Sequence, residues 1–215
     1  MSPRTGTGTG TGTRSRTRVR ILAPVIAVVA SAALMLSGCT TDKLAEQYRS
    51  GNGQNYIAGD GTVSEFAADN RGAAVDFSGK TGDGTTVSSK DYAGKVLVVN
   101  FWYAGCPPCR LEAPALQKLS QKYKADGVGF LGVNLYDSEG TAASFEKEKG
   151  VTYPSVLDRD TGSVLLAFSK TVPPKATPTT LVVDKKGRVA ARILGAIPDA
   201  SILDSLISDA LAETD

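Results

Sequence analysis

The most regular apolar stretch of the chain is Lys95-Val96-Leu97-Val98-Val99-Asn100-Phe101-Trp102, β-branched and aromatic along its length, and it predicts a buried strand. Between Arg110 and Ala125, Leu111, Ala115, Leu119 and Tyr123 recur every fourth residue, which predicts a helix with one apolar face. Residues 129–135 form a second apolar run of strand length, and residues 141–149 a polar-faced helix carrying Ala142 and Phe145. A short strand is expected over 154–157 and a short helix over 163–168. Residues 179–184 and 188–194, joined by Lys185-Lys186-Gly187, predict a hairpin. An earlier hairpin is expected from Val75-Asp76-Phe77 and Thr85-Thr86-Val87. Asp199 stands as N-cap to a closing helix with Ile202, Leu203, Leu206, Ile207 and Leu211 on one face. This order of elements predicts an α/β domain with a central sheet of mixed direction and helices on both faces.

The pattern stops before residue 74. Residues 5–13 are a Thr-Gly repeat that cannot build a core. Arg14, Arg16, Arg18 and Arg20 then precede an apolar stretch over 21–36, the anatomy of a secretory signal, with no Arg-Arg pair to point to twin-arginine export. The stretch ends in Leu36-Ser37-Gly38-Cys39, which resembles the bacterial lipobox, where cleavage precedes the cysteine and its sulfur takes a diacylglyceryl group. An ordinary signal peptide or an uncleaved anchor are the alternatives, although the stretch falls short of the ~20 residues a span requires. Residues 1–38 are therefore expected to be removed. Residues 39–73, polar and punctuated by Gly, Asn and Ser, are expected to form a lipid-anchored flexible tether with a short strand near Tyr56-Ile57. Residues 74–215 are enough for one domain.

Removal of the signal changes the charge. The chain has 24 basic and 22 acidic residues, but residues 1–38 hold five arginines and no acid, so the remainder has three more acidic than basic groups. No basic patch is left to argue for nucleic acid. Three cysteines and no histidine narrow the chemistry further. Cys106-Pro107-Pro108-Cys109 lies between the predicted strand and the predicted helix. Half a zinc site would contain such a pair, yet zinc wants four Cys or His ligands, and Cys39 is the only other thiol. No metal and no cofactor are expected. A purely structural disulfide is the remaining alternative. The strand–CxxC–helix order favours a redox-active pair, because a helix N-terminus offers partial positive charge and free N–H groups to a thiolate.

Four segments carry a resemblance to a known family: residues 99–110 around the CxxC, the following Leu111-Glu112-Ala113-Pro114, residues 176–184, and a hairpin-plus-helix expected between Asp137 and Leu157. On these the chain resembles the membrane-tethered TlpA/ResA-like thiol–disulfide oxidoreductases of the thioredoxin superfamily. The resemblance implies a thioredoxin-like fold with an N-terminal β-hairpin and a central insertion. It implies an exposed nucleophile at Cys106, a buried resolving thiol at Cys109 and a Cys106–Cys109 redox disulfide. Glu112 matches a family acid beside the dithiol; the alternative is a solvated helix Glu. Pro178 falls where the family keeps a cis-proline facing the CxxC, which would present the Thr177 backbone to an extended substrate, with Trp102 and Pro107 completing the substrate contacts. Relatives of this kind reduce disulfides of exported proteins, often apocytochrome c, and draw electrons from a membrane thiol donor. A monomer is expected.

The chain departs from the pattern at Asn100, which replaces a buried Asp of thioredoxin and cannot take a proton, and at Gly105, where many relatives carry Trp. Pro107 and Pro108 remove two N–H groups from the helix start. With few donors and no histidine, the Cys106 thiolate is expected to be modestly stabilised and the protein reducing. An exported oxidase or isomerase with the same cysteines is the competing reading. A copper or haem chaperone, a peroxidase and a non-catalytic binding domain fit the residues less well.

Overall fold

The computed structural model describes the backbone of residues 56–57 and residues 62–173 and 176–214. The signal sequence, Cys39 and the tether up to residue 55 lie outside the described residues. Among the described residues nine strands and four α-helices follow in chain order: β1 (Tyr56–Ile57), β2 (Val63–Glu65), β3 (Ser78–Lys80), β4 (Thr86–Ser88), β5 (Leu97–Trp102), α1 (Pro107–Lys122), β6 (Gly129–Asn134), α2 (Glu139–Lys149), β7 (Ser155–Leu157), α3 (Ser163–Ala167), β8 (Thr179–Val183), β9 (Val189–Leu194) and α4 (Ala200–Ala212).

Seven strands form one sheet in the order β1-β2-β9-β8-β5-β6-β7. Strand β5 is central, parallel to β6 and antiparallel to β8, so the sheet is mixed. Every residue of β5 is buried, which explains its continuous apolar sequence. Its side chains alternate between two cores. Val98 joins Leu116, Leu119, Leu203 and Ile207 beneath α1 and α4. Leu97, Val99 and Phe101 join Phe77, Val164 and Phe168 beneath α3 and the β3–β4 hairpin. Each fully buried Val, Leu or Phe contributes roughly 1.5–3 kcal/mol.

Several expectations need correction. The first hairpin pairs Ser78–Lys80 with Thr86–Ser88, so its first strand begins three residues later than the apolar pattern places it. Tertiary fit decides this: Gly79 lies against β7, where a Cβ would stand 2.3 Å from Val156 Cγ1. Beyond Lys80, Thr81 makes a single antiparallel bridge to Val156. The folded body also begins before residue 74, because β2 pairs with β9 and Val63 enters the core; residues 62–73 are not a tether. The segment between Asp137 and Leu157 contains no hairpin. Strand β7 runs parallel to β6, which demands the crossover that α2 supplies.

Helix α1 buries Cys109, Glu112, Ala113, Leu116 and Leu119, whereas Leu111 is 79 % exposed. At 3.6 residues per turn, four-residue steps drift by about 40° each, so a strict four-residue series walks off the core face. Asp199 does cap α4, accepting the Ser201 N–H at 2.8 Å. Among the described residues no helix is long and apolar enough to cross a membrane.

Candidate active site

The carboxyl ends of β5 and β9 and the start of β8 meet at one end of the sheet. There β5 gives way to a turn over 103–105, and Cys106 caps α1. Cys106 and Cys109 form a disulfide with Cα atoms 5.3 Å apart. Since Pro107 and Pro108 carry no N–H, the Cys109 N–H is the donor that reaches Cys106 Sγ, at 3.2 Å. Pro107 is exposed. The two cysteines are 1 % and 2 % exposed, so in the disulfide form Cys106 is not the exposed sulfur that the resemblance implied. Ala113, Ala142 and Phe145 pack with the pair.

Trp102 takes no part in the outer surface. It points to the α1 side of the sheet, buried, and stacks on Phe145 with ring centroids 4.5 Å apart. It supports the dithiol from below instead of offering a face to a substrate. Pro178 arrives by register: Thr179 pairs with Phe101, which places Pro178 beside the end of β5. The Thr177–Pro178 peptide is cis, and the Pro178 carbonyl accepts the Gly195 N–H at 2.9 Å. Thr177 is half-buried, and its hydroxyl has no partner among the described residues.

Glu112 is buried, three residues after Cys109 on the same face of α1. Its Oε1 accepts the Asn100 side-chain amide at 2.8 Å and its Oε2 the Ile197 N–H at 3.0 Å. Burial raises its pKa from 4.5 to about 7, and these two hydrogen bonds pull the other way. The solvated-Glu alternative is thereby excluded. Asn100, which also donates to Thr180 Oγ1 at 3.0 Å, holds the acid in place. Ile197 and Thr180 lie far along the chain, and no local pattern marks them. Asn100 did carry a signal, since strand alternation points it beneath α1. The arrangement places a dithiol couple at a helix N-terminus, a carboxyl that titrates near neutrality below it, and the cis Thr177–Pro178 peptide at the end of the neighbouring strand.

The fold and the site together define a thioredoxin-like protein with a CxxC disulfide. The chain belongs to the Redoxin family, whose model matches residues 67–207. It is 38% identical over 112 residues to the thiol-disulfide oxidoreductase ResA of Geobacillus kaustophilus, covering 52% of this chain and 62% of that protein. The chain thus spans less than two thirds of the length of that curated relative. A DsbF homologue from Corynebacterium diphtheriae matches with a TM-score of 0.63 and 31% identity, covering 73% of this chain and 98% of that one. A secreted thiol-disulfide isomerase from Corynebacterium glutamicum matches with a TM-score of 0.65 and 29% identity, covering 74% and 98%.

Proposed function

We propose that the protein is a thiol–disulfide oxidoreductase, held by a lipid on Cys39 at the outer face of the cell membrane, that reduces disulfides of exported proteins, apocytochrome c among them. The observation that carries this reading is the Cys106–Cys109 disulfide at the N-terminus of α1, with the buried acid Glu112 on the same helix face. In the reduced protein the Cys106 thiolate attacks a substrate disulfide. A Cys106–substrate bond forms, the substrate S–S bond breaks, and one substrate thiolate leaves and takes a proton. Cys109 then loses its proton, for which Glu112 is the nearby acceptor, and attacks the Cys106 sulfur. The Cys106–Cys109 bond forms and the second substrate thiol is released. The substrate gains two electrons and two protons; a membrane dithiol protein restores the pair.

The reducing direction is supported by the donor set around Cys106, with a single backbone N–H on its sulfur and no histidine in the chain. A thiolate held by so little gives a weak oxidant. The competing direction, disulfide formation or reshuffling, is favoured by the Corynebacterium glutamicum relative, which is named as a secreted isomerase. Trapping the thiols in growing cells separates the two. A reductase is found mostly as the Cys106–Cys109 dithiol and reduces insulin; a mostly disulfide form inactive on insulin would overturn the proposal.

A further inference from the structure

The turn that leads into Cys106 is held partly from outside its own strand and helix. The Ala104 N–H donates to Asp137 Oδ2 at 2.6 Å, and the Ala104 carbonyl accepts from Arg110 Nη1 at 3.3 Å. Asp137 stands on the loop between β6 and α2. Its Oδ2 also accepts the side-chain amide of the fully buried Asn134 at 2.7 Å, and Asn134 Oδ1 accepts the Asp137 N–H at 2.9 Å. Arg110 pairs with Glu148 of α2 at 2.6 Å and lies 5.6 Å from the centre of the Phe145 ring. Tyr103 meets Tyr136 edge-on at 5.2 Å. Ala104, two positions before Cys106, is thus fixed at its N–H by the β6–α2 loop and at its carbonyl by Arg110 of α1, which is itself paired with α2.

We propose that Asp137 is a positioning residue for disulfide exchange: its carboxylate fixes the 103–105 turn and so the place where Cys106 Sγ meets an incoming disulfide. The inference rests on Cys106 being the attacking thiol. Displacement at sulfur needs the attacking and leaving atoms in line, and a misplacement of about 1 Å can cost about a hundredfold in rate. A carboxylate is suited to this task because a charge-assisted hydrogen bond is about twice as strong as a neutral one. The charged side chains that bear on this turn and the dithiol include Arg110 and Glu112 of α1, Asp137 of the crossover loop, and Glu148 of α2 with its ion-pair partner Lys149.

Two variants of the full-length protein separate geometry from charge. Asp137→Asn keeps an acceptor oxygen and removes the charge, whereas Asp137→Ala removes the acceptor. Rate constants for insulin reduction and for iodoacetamide alkylation of Cys106 are measured from pH 5 to 9, below the thermal midpoint of each protein. Asp137→Ala is expected to lose about tenfold in insulin reduction, the size of one such hydrogen bond. Asp137→Asn should recover to within about threefold of wild type, and the high-pH alkylation plateau of Cys106 should match in all three. Arg110→Met, which frees the carbonyl and spares the Asn134–Asp137 pair, gives the same signature if the alanine variant does not fold. Equal losses in the Asn and Ala variants, or none in Ala, would overturn the proposal. Faster alkylation of Cys109 than Cys106 in the wild type would instead overturn the assignment of the thiols, and this inference with it.

Discussion

Asn100 of β5 donates its side-chain amide to Glu112 of α1 at 2.8 Å, and both side chains are buried. An amide has no proton to exchange near neutrality. Glu112 therefore titrates as the single buried acid of this pair, where a carboxyl in place of Asn100 would give a coupled dyad.

This bears on stability. The folded-state pKa of Glu112, about 7, lies above the 4.5 of a solvated Glu. The native protein therefore holds a proton that the unfolded chain has lost between those values. The contribution is complete below about pH 4.5 and lost as pH rises through about 7, a change on the order of 3 kcal/mol. Denaturant titrations at pH 4.5, 6 and 7.5 should show wild type falling relative to Glu112→Gln. Glu146, also raised by burial, remains in both proteins, so the difference isolates Glu112. Parallel curves would refute the assignment. The same variant is expected to slow release of the mixed disulfide, because Gln cannot take the Cys109 proton.

The thiols differ in role. Cys106→Ser should abolish exchange, and Cys109→Ser should accumulate mixed disulfides visible on non-reducing gels. Mixed disulfides that accumulate only in Cys106→Ser would reverse the two roles.

Gly132 of β6 is required by close packing. A Cβ there would stand 2.3 Å from Ser155 Oγ and 2.9 Å from Trp102 Nε1. Gly132→Ala is expected to cost about 1–3 kcal/mol. It should also shift the emission of Trp102, the only tryptophan in the sequence. An unchanged spectrum with unchanged stability would show that the strand yields without moving the indole.

Anchoring is tested at Cys39. Cys39→Ala should be released or left unprocessed, with the thioredoxin-like domain folded and active on insulin, because two acyl chains hold where one is marginal. Fatty-acid labelling that finds no lipid on the wild type would remove the lipoprotein reading.

Strands β5, β6, β8 and β9 and helix α4 were legible because runs of buried β-branched residues, and one well-capped amphipathic pattern, survive in the sequence itself. The first hairpin was not, since its register is chosen by the fit of Gly79 against Val156, a contact made only in the fold. Leu111 misled for a geometric reason: a four-residue repeat resembles a helix face but drifts from it. At the site, the two cysteines announced themselves by motif. The burial of Glu112 depended on Ile197, 85 residues away, and on an Asn that reads as a loss of function when taken alone. Asp137 left no trace, because the contact that ties it to the turn is with a backbone N–H, which every residue but proline carries.

The bridge between Thr81 and Val156 has a consequence for the company this protein would keep. Strand β7 is last in its sheet, and a bare outer strand is a template on which unpaired chains nucleate aggregates. The β3–β4 hairpin meets that strand through this one bridge and the close approach of Gly79 to Val156, so the edge is not left bare there. A protein proposed to act on incompletely folded secretory chains would meet many such sticky segments. With that border bridged, such segments find less open strand edge on the β7 side of the sheet, and the proposed exchange at Cys106 has less non-productive pairing to compete with.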